Sequence, residues 1–209
     1  NTLWLYLDSR LRNEIRAYAK FRGVIDPTVR SDASSPFGLV AIPASYSDVE
    51  EMKLLLNAEK KVFFTVGKQK IKWGSGKFWN PTDFMNSSYR DVLYSDDRRS
   101  GVSLVKTHVP VGAANFYLVN SFNGADRLNR IGTAVRAELP FHSSETALTL
   151  SKKPDEKAAF GVDVSAALGD VDAYGEAAFS EFPTRWVAGL SYDYKYSDAD
   201  TVGFALEYF

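Results

Sequence analysis

The chain has 209 residues, a net charge of −1 and no cysteine, which excludes a disulfide scaffold and a thiolate metal site. The near-neutral charge gives no global field that would favour nucleic acid. Apolar residues make up 45% of the chain, yet no apolar run approaches the roughly 18 residues that a membrane-spanning helix needs. A protein that crosses a membrane with strands remains open, because only every second residue of such a strand faces lipid.

Short stretches that alternate apolar and polar residues begin at the N-terminus. In the first part of the chain they predict strands over 3–12, 15–22, 49–56, 62–72, 101–108 and 113–122. Residues 7–21 would also fit an amphipathic helix. Strict alternation on both sides of Asn13 favours two strands joined by a tight turn instead.

The alternation is clearest in the C-terminal part of the chain. It predicts strands over 131–139, 145–151, 158–168, 173–180, 186–194 and 201–209. In one of them, Phe160, Val162 and Val164 alternate with Gly161 and Asp163. A period of two over about 8–11 residues is typical of a membrane-spanning strand, and small or charged residues on the other face suit a wet interior.

The gaps between the predicted strands alternate between short and longer ones. The short gaps are 13, 57–60, 109–112, 140–144, 169–172 and 197–200, and the others are 25–47, 73–100, 123–130, 152–157 and 181–185. In bacterial barrels short turns are periplasmic and longer loops are extracellular. The pattern predicts an all-β fold, an antiparallel transmembrane β-barrel of the bacterial outer membrane, with residues 1–209 in a single barrel domain.

Both predicted chain ends fall on the long-loop side, whereas single-chain barrels normally begin and end in the periplasm. We therefore expect a barrel that is incomplete at both ends, with twelve strands visible and fourteen or more in the complete protein. Phe209 falls on the polar face of its predicted strand, so we interpret it as a cut and not as a barrel-assembly signal.

The strongest local motif is GKQKIKWGSGKFWNPTD at 67–83. It resembles the stretch G-[RK]-Q-x-I-x-W-G-x-G-x-x-W-N-P-x-D of large outer-membrane barrels related to alginate-export channels and porin-like proteins. The resemblance implies a β-barrel of the Gram-negative outer membrane and does not fix a substrate. Physically, the motif describes a strand that breaks at Gly74 and Gly76 and then turns at Asn80-Pro81.

The motif supplies the candidates for a loop or constriction, Trp73, Trp79, Asn80 and Asp83. Both tryptophans suit the rim of a barrel, where an indole lies half in the membrane interface. Two alternatives stay open: the loop folds inward and narrows the pore, or it lies outward against neighbouring loops.

Three lysines of the motif are candidates for contact with lipopolysaccharide. Lys68, Lys70 and Lys72 share the parity of the preceding apolar face, which places them outward near the extracellular rim. Lysines there would pair with lipopolysaccharide phosphates. A bulge at Gly67 would turn them inward instead, and a solvated strand end fits equally well.

Charge is distributed unevenly along the chain. Residues 1–72 contain 12 Lys/Arg and 8 Asp/Glu, whereas residues 130–209 contain 7 and 13. The candidate pore-lining residues on the predicted lumen face are Arg10, Arg12, Arg16, Lys20, Arg22, Lys53, Arg136, Glu138, Asp163, Glu176, Asp193 and Glu207. A basic wall opposite an acidic one would order ions across a narrow pore, unless these charges simply pair with one another.

Catalytic chemistry has little support. His142 stands beside Ser143, Ser144 and Glu145, but adjacent residues of a turn do not point at one another, and the turn falls on the predicted periplasmic side. His108 lies at the end of a predicted strand. No phosphate-binding loop, dinucleotide fingerprint or metal-ligand spacing occurs. We predict no enzyme, no catalytic residue, no metal and no cofactor.

The leading functional hypothesis is a porin-like channel for passive passage of small to medium polar solutes. The alternative is a structural or exit component of a multi-protein export assembly in the outer membrane. The expected partners are outer-membrane lipid including lipopolysaccharide, a polar solute, and periplasmic or homo-oligomeric protein partners, with no nucleic acid. A lipid or peptide hydrolase and a soluble β-sandwich are the disfavoured alternatives.

Overall fold

Twelve antiparallel strands in chain order form one sheet. The computed structural model describes residues 2–12, 14–25, 45–85, 101–180, 184–197 and 200–209. The strands are β1 (Thr2–Arg12), β2 (Ile15–Ile25), β3 (Ser45–Ala58), β4 (Val62–Gln69), β5 (Val102–Val111), β6 (Ala114–Ser121), β7 (Gly132–Phe141), β8 (Ser144–Lys152), β9 (Ala159–Leu168), β10 (Val171–Phe179), β11 (Arg185–Lys195) and β12 (Thr201–Tyr208).

Each strand pairs with its neighbour in sequence, and β1 and β12 form the two edges. The sheet is therefore open in the described part of the chain, with no pairing between β1 and β12. The predicted all-β antiparallel class and the predicted twelve strands are confirmed. No helix among the described residues is long and apolar enough to span a membrane.

Two strand ends differ from the prediction. β4 ends at Gln69 and not at Lys72, because Gly67 adopts a φ of +127° and the chain leaves the sheet soon afterwards. A Cβ at Gly67 would lie 2.2 Å from the Met52 carbonyl oxygen, so a side chain does not fit there. β5 continues through Pro110 to Val111, because the turn needs only residues 112–113, with a positive φ at Gly112.

Short turns join the strands at one end of the sheet, at residues 59–61, 112–113, 142–143 and 169–170. The described parts of the other connections, 70–85, 122–131 and 153–158, start from the opposite end of the sheet. Most of the predicted gap 25–47 and residues 86–100 of the gap 73–100 lie outside the described residues. The described connections follow the predicted alternation of short and longer gaps.

Alternation gives the sheet two different faces. The first, which we call the apolar face, exposes large hydrophobic side chains on every strand from β1 to β12, among them Leu5, Leu148, Phe160, Leu190 and Phe204. The residues between them, with the same period of two, point to the other face. An apolar surface of this extent suits lipid, as in the outward face of a membrane barrel.

The second face, which we call the loop face, is covered by the chain that follows β4. We call residues 70–85 the inward loop. Its apolar side chains Ile71, Trp73, Phe84 and Met85 pack in one cluster with sheet residues Val102, Leu104, Val119, Ala134 and Ala178. The sheet residues of this cluster come from β5, β6, β7 and β10, so the inward loop crosses a wide part of the loop face.

Candidate functional site

The inward loop begins where β4 ends, and its first aromatic residue is buried. Trp73 is only 5% exposed and belongs to the apolar cluster on the loop face. The Arg136 guanidinium lies 5.8 Å from the centre of the Trp73 ring. The expectation that Trp73 lies at the membrane rim is therefore wrong, because the chain turns towards the loop face after Gly67 and carries the indole with it.

Glu176 of β10 is the first anchor of the inward loop. Its Oε1 accepts hydrogen bonds from the Gly76 N–H at 2.5 Å and from Asn80 Nδ2 at 2.9 Å. Its Oε2 accepts hydrogen bonds from the Thr82 N–H at 3.2 Å and from Thr82 Oγ1 at 2.7 Å. The side chain is 4% exposed. One buried carboxylate therefore organises a turn of the loop that lies 100 positions earlier in the sequence.

The close approach of Glu176 explains why the motif has glycine at position 74. Gly74 adopts a φ of +95°, and a Cβ there would lie 2.5 Å from both carboxylate oxygens of Glu176. Any side chain at this position would therefore compete with the anchor for space. The glycine allows the backbone to approach the carboxylate closely.

Glu207 of β12 is the second anchor. It accepts hydrogen bonds from three consecutive backbone amides of the loop, those of Lys77, Phe78 and Trp79, the last two at 3.1 and 3.3 Å. The Tyr174 hydroxyl donates to the same carboxylate at 3.0 Å. Consecutive amides that converge on one anion form a concave site, here occupied by the protein's own side chain.

The remaining constriction candidates lie at these anchors. Trp79 packs edge-on against Phe209, with 5.7 Å between the ring centres. Asn80 also donates to the Gly76 carbonyl at 2.9 Å, and the Asp83 N–H donates to the Asn80 carbonyl at 3.1 Å. The described part of the loop, residues 70–85, packs against the loop face, in agreement with the inward alternative, and that it narrows a pore stays a prediction.

A second charged centre also lies on the loop face, nearer to the β1 edge of the sheet. Glu50 of β3 is fully buried and faces three cations, Lys20 at 3.0 Å, Arg22 at 3.1 Å and Lys70 at 3.2 Å. A register shift between β2 and β3 at Lys20/Phe21 leaves Glu50 without a paired residue and so brings it to this cluster. Sequence reasoning missed Glu50, because strict alternation does not reveal the shift.

Two of the three lipopolysaccharide candidates bind carboxylates of β3. Lys68 contacts Asp48 at 3.3 Å and Lys70 contacts Glu50 at 3.2 Å, whereas Lys72 is exposed. The expected outward direction of Lys70 is wrong, because its ammonium group reaches Glu50 on the loop face after the turn at Gly67. Contact with lipopolysaccharide stays a prediction for these lysines.

Arg136 is the best-connected cation of the loop face. It forms a two-pronged ion pair with Asp163, at 2.7 and 3.0 Å, and also donates to Glu138 at 2.9 Å and to Thr149 at 3.0 Å. Arg136 and Asp163 are each 6% exposed. Buried charges in proteins are normally paired in this way, so the cluster is a satisfied part of the wall.

Arg10, Arg16, Lys53 and Asp193 are also on the loop face. Arg16 binds Asp8 at 2.5 Å, Lys53 binds Glu51, and both Arg10 and Asp193 are exposed. The side chain of Arg12 lies outside the described residues. That these residues line a pore stays a prediction, although Arg10, Arg16, Lys53 and Asp193 share the loop face.

Neither histidine is placed as a catalytic base of the kind considered from the sequence. His108 stacks between Phe63 and Tyr117, with ring centres 5.6 and 4.6 Å away, and its Nε2 lies 2.8 Å from Asn115 Oδ1. His142 occupies a two-residue turn and packs against Phe141. Within the described ranges, no three His, Asp or Glu side chains are grouped closely enough to hold a metal ion.

Solved structures of bacterial outer-membrane proteins share the fold of this chain. One is a loop L8 deletion mutant of OmpT, an outer membrane protein of Vibrio cholerae, with a TM-score of 0.50, 12% identity, and coverage of 99% of this chain and 72% of that chain. Another is a mutant of the Rh. blastica porin, with a TM-score of 0.50, 9% identity, and coverage of 99% and 83%. Neither a protein-family model nor a curated protein matches the chain. At these identities the similarity shows the fold alone, that of an outer-membrane β-barrel.

Proposed function

We propose that the protein is a porin-like channel of the bacterial outer membrane, and that it passes small to medium polar solutes passively. The observation that carries this proposal is the inward loop, which Glu176 and Glu207 hold against the polar face of the sheet. A loop anchored on that face narrows a barrel lumen without any conformational change. The fold shared with a porin is consistent with this role.

The two faces of the sheet support the membrane part of the proposal. The apolar face presents side chains such as Leu190 and Phe204, at 50% and 59% exposure, as a lipid-facing surface would. The loop face carries charged and hydroxyl groups, among them Arg136, Asp163 and Thr149. With short turns in the periplasm, the inward loop enters the lumen from the extracellular end.

The proposal includes no enzymatic chemistry. A nucleophile, a base and an orienting acid would have to meet on one side of the sheet. Among the described residues, His108 contacts two aromatic rings and an amide, and His142 contacts one ring. A passive channel needs none of these groups, because its selectivity comes from pore width and from the charges that line it.

We also propose the partners that a channel of this kind would have. Outer-membrane lipid would cover the apolar face, and lipopolysaccharide phosphates would contact Lys72 at the extracellular end, with Lys68 and Lys70 close by. Copies of the chain or periplasmic proteins remain proposed partners. Detergent-solubilised protein analysed by mass photometry would show whether copies associate.

A second candidate function is an exit or structural component of an export assembly. The motif at 67–83 supports it, because that stretch resembles one in barrels related to alginate-export channels. Affinity purification from native outer membranes separates the two candidates. Stoichiometric periplasmic partners would support the assembly, whereas a protein that purifies alone or only with copies of itself would rule it out.

Liposome swelling tests the channel directly. Vesicles that contain the purified protein should swell in isotonic solutions of small sugars, at a rate that falls as the sugar becomes larger. Vesicles with the same amount of heat-denatured protein provide the control. Swelling no faster than this control for every sugar would refute passive passage.

A further inference from the structure

We infer that a groove on the apolar face binds one acyl chain of lipopolysaccharide, and that a row of polar side chains at its extracellular end binds a phosphate group of the same lipid. The inference depends on the outer-membrane location of the protein and not on the passage of solutes. It concerns β6, β7 and β8, a different part of the sheet from the lysines that follow β4.

The groove is a feature of the surface that faces lipid. It has a volume of about 430 Å³ and extends across β5 to β9. Most of the residues that line it belong to the apolar face. A methylene group is about as large as a water molecule, which takes about 30 Å³, so the groove has room for on the order of a dozen methylene groups. This is the size of one lipid chain.

The groove follows β7, because β7 carries smaller side chains than the strands beside it. Ala137 stands in register between Phe116 of β6 and Leu148 of β8. Two residues along the strand, Val135 stands between leucines of the same two strands. Larger side chains therefore form both walls, and the groove runs across the membrane as a lipid chain does. In a membrane, close packing of this kind is what favours one apolar contact over another.

The outward alternation of these three strands ends in polar residues at the end of the longer connections. Asn120, Thr133 and Lys152 stand in register there, and we call them the polar row. Thr133 Oγ1 donates to Asn120 Oδ1 at 3.1 Å, which leaves the Asn120 NH₂ group as a donor. In bacterial barrels this end is extracellular. The polar row therefore lies in the leaflet that contains lipopolysaccharide.

Lys152 supplies the charge of the polar row. Its ammonium group donates to the Glu156 carbonyl oxygen and, within the described ranges of the chain, forms no ion pair. An ammonium group has three donors, so two remain for an acceptor on a bound lipid. Phosphate oxygens are strong acceptors for such a group.

The two connections beside the polar row have a net positive charge. Residues 122–131 contain two arginines and one aspartate, and residues 152–157 contain three lysines, one aspartate and one glutamate. The connections adjoin each other, because a Cβ at Gly132 would lie 3.8 Å from Lys153 Cγ. This charge suits an anionic lipid head group. A second copy of the chain would bring the same positive charge to the contact and is disfavoured for that reason.

Native mass spectrometry of the whole chain, refolded in detergent without lipopolysaccharide, tests this inference. Diphosphoryl lipid A is the probe, and phosphatidylglycerol at the same concentration represents the phospholipids of the periplasmic leaflet. We expect one bound lipid A per protein and weaker binding of phosphatidylglycerol. Lys152→Gln should weaken lipid A binding about fivefold, as for one cation at an anionic lipid surface. Ala137→Leu should abolish the lipid A complex, because the larger side chain fills the floor of the groove.

Each variant has a matched control. Ala188→Leu makes the same substitution at an exposed position of the apolar face, on β11, outside the groove. Lys61→Gln removes the same charge in the β3–β4 turn, where Lys61 is 79% exposed. Both controls should bind lipid A as the unaltered protein does. Heat-modifiable migration shows whether each variant folds, and Lys152→Gln tests the site by itself if Ala137→Leu does not.

The outcomes that would overturn the site are specific. They are phosphatidylglycerol bound as tightly as lipid A, equal lipid A binding by Ala137→Leu and Ala188→Leu, and equal binding by Lys152→Gln and Lys61→Gln. Dimers that disappear with Ala137→Leu would overturn lipid as the occupant of the groove and assign it to a second copy. Each of these outcomes leaves the channel proposal intact, because liposome swelling tests that proposal independently.

Discussion

Replacing one buried carboxylate should loosen the inward loop. Glu176→Gln keeps the size of the side chain and changes only its charge and hydrogen-bonding capacity. The native carboxylate accepts two hydrogen bonds on each oxygen, from Gly76 and Asn80 on one side and twice from Thr82 on the other. Glutamine has a single acceptor oxygen. With its NH₂ group towards Thr82, the Thr82 hydroxyl can turn and accept, so the Thr82 N–H is the one donor left without an acceptor.

The size of the effect follows from that one lost acceptor. A buried donor left without an acceptor costs about 1–3 kcal/mol. Since about 1.4 kcal/mol corresponds to a factor of ten, the ratio of held to released loop should fall by about fivefold or more. This cost concerns attachment of the loop, and the strand pairing of β10 should be unaffected.

Thiol labelling measures this change without requiring conductance. The chain has no cysteine, so Ser75→Cys would introduce a unique thiol into the loop. A membrane-impermeant methanethiosulfonate reagent should label that thiol at least about fivefold faster when Glu176→Gln is also present, provided that labelling follows loop release. Heat-modifiable migration on gels should show that both proteins form the same barrel.

Glu145→Gln is the matched control. Glu145 lies on the loop face of β8, is exposed, and has no contact with the inward loop in the described structure. It removes the same charge and should leave the labelling rate unchanged. Equal rates in the presence and absence of Glu176→Gln, or an equal acceleration by Glu145→Gln, would refute the assignment of Glu176 as an anchor.

Other substitutions test the wall and the two faces. Gly67→Ala should lower the thermal unfolding temperature in detergent, because its Cβ would meet the Met52 carbonyl oxygen. Gly23→Ala, with nothing within 4 Å of its Cβ, should not lower it, and equal temperatures would contradict the close approach at Gly67. Asp163→Asn should destabilise the barrel by about 1.5–3 kcal/mol in guanidinium titrations, because it breaks the two-pronged pair and leaves the buried Arg136 guanidinium only Glu138 as a charged partner. A loss below about 1 kcal/mol would contradict a buried pair. In membranes, a thiol from Ser191→Cys should react with an impermeant reagent and one from Leu190→Cys should not, and the reverse order would contradict the assignment of the faces.

The parts of the fold that depend on lipid could be predicted from the sequence. Leu206 and Phe204 face outward whatever strand lies beside them, because the membrane contacts every strand in the same way. A period of two in each segment was therefore enough to count the strands and assign both faces. The gap lengths predicted which connections lie at the same end of the sheet, because measuring a gap needs no knowledge of distant residues.

The loop and its anchors depend on contacts that no local pattern contains. Gly76 and Glu176 are 100 positions apart, and nothing in either segment identifies the other as its partner. The lysines after Gly67 continue the alternation of a strand, so the early end of β4 was not visible. Glu50 was missed because a register shift changes the face of a residue without changing the sequence pattern.

Single-channel recording tests the central claim most directly, that the inward loop narrows an outer-membrane channel. The purified protein should give stepwise, ohmic currents in planar bilayers. A double variant with Glu176→Gln and Glu207→Gln should give larger and noisier current steps, with the same number of steps per channel. The account would be contradicted by protein that conducts at no voltage, or by steps of equal size with and without the two anchors.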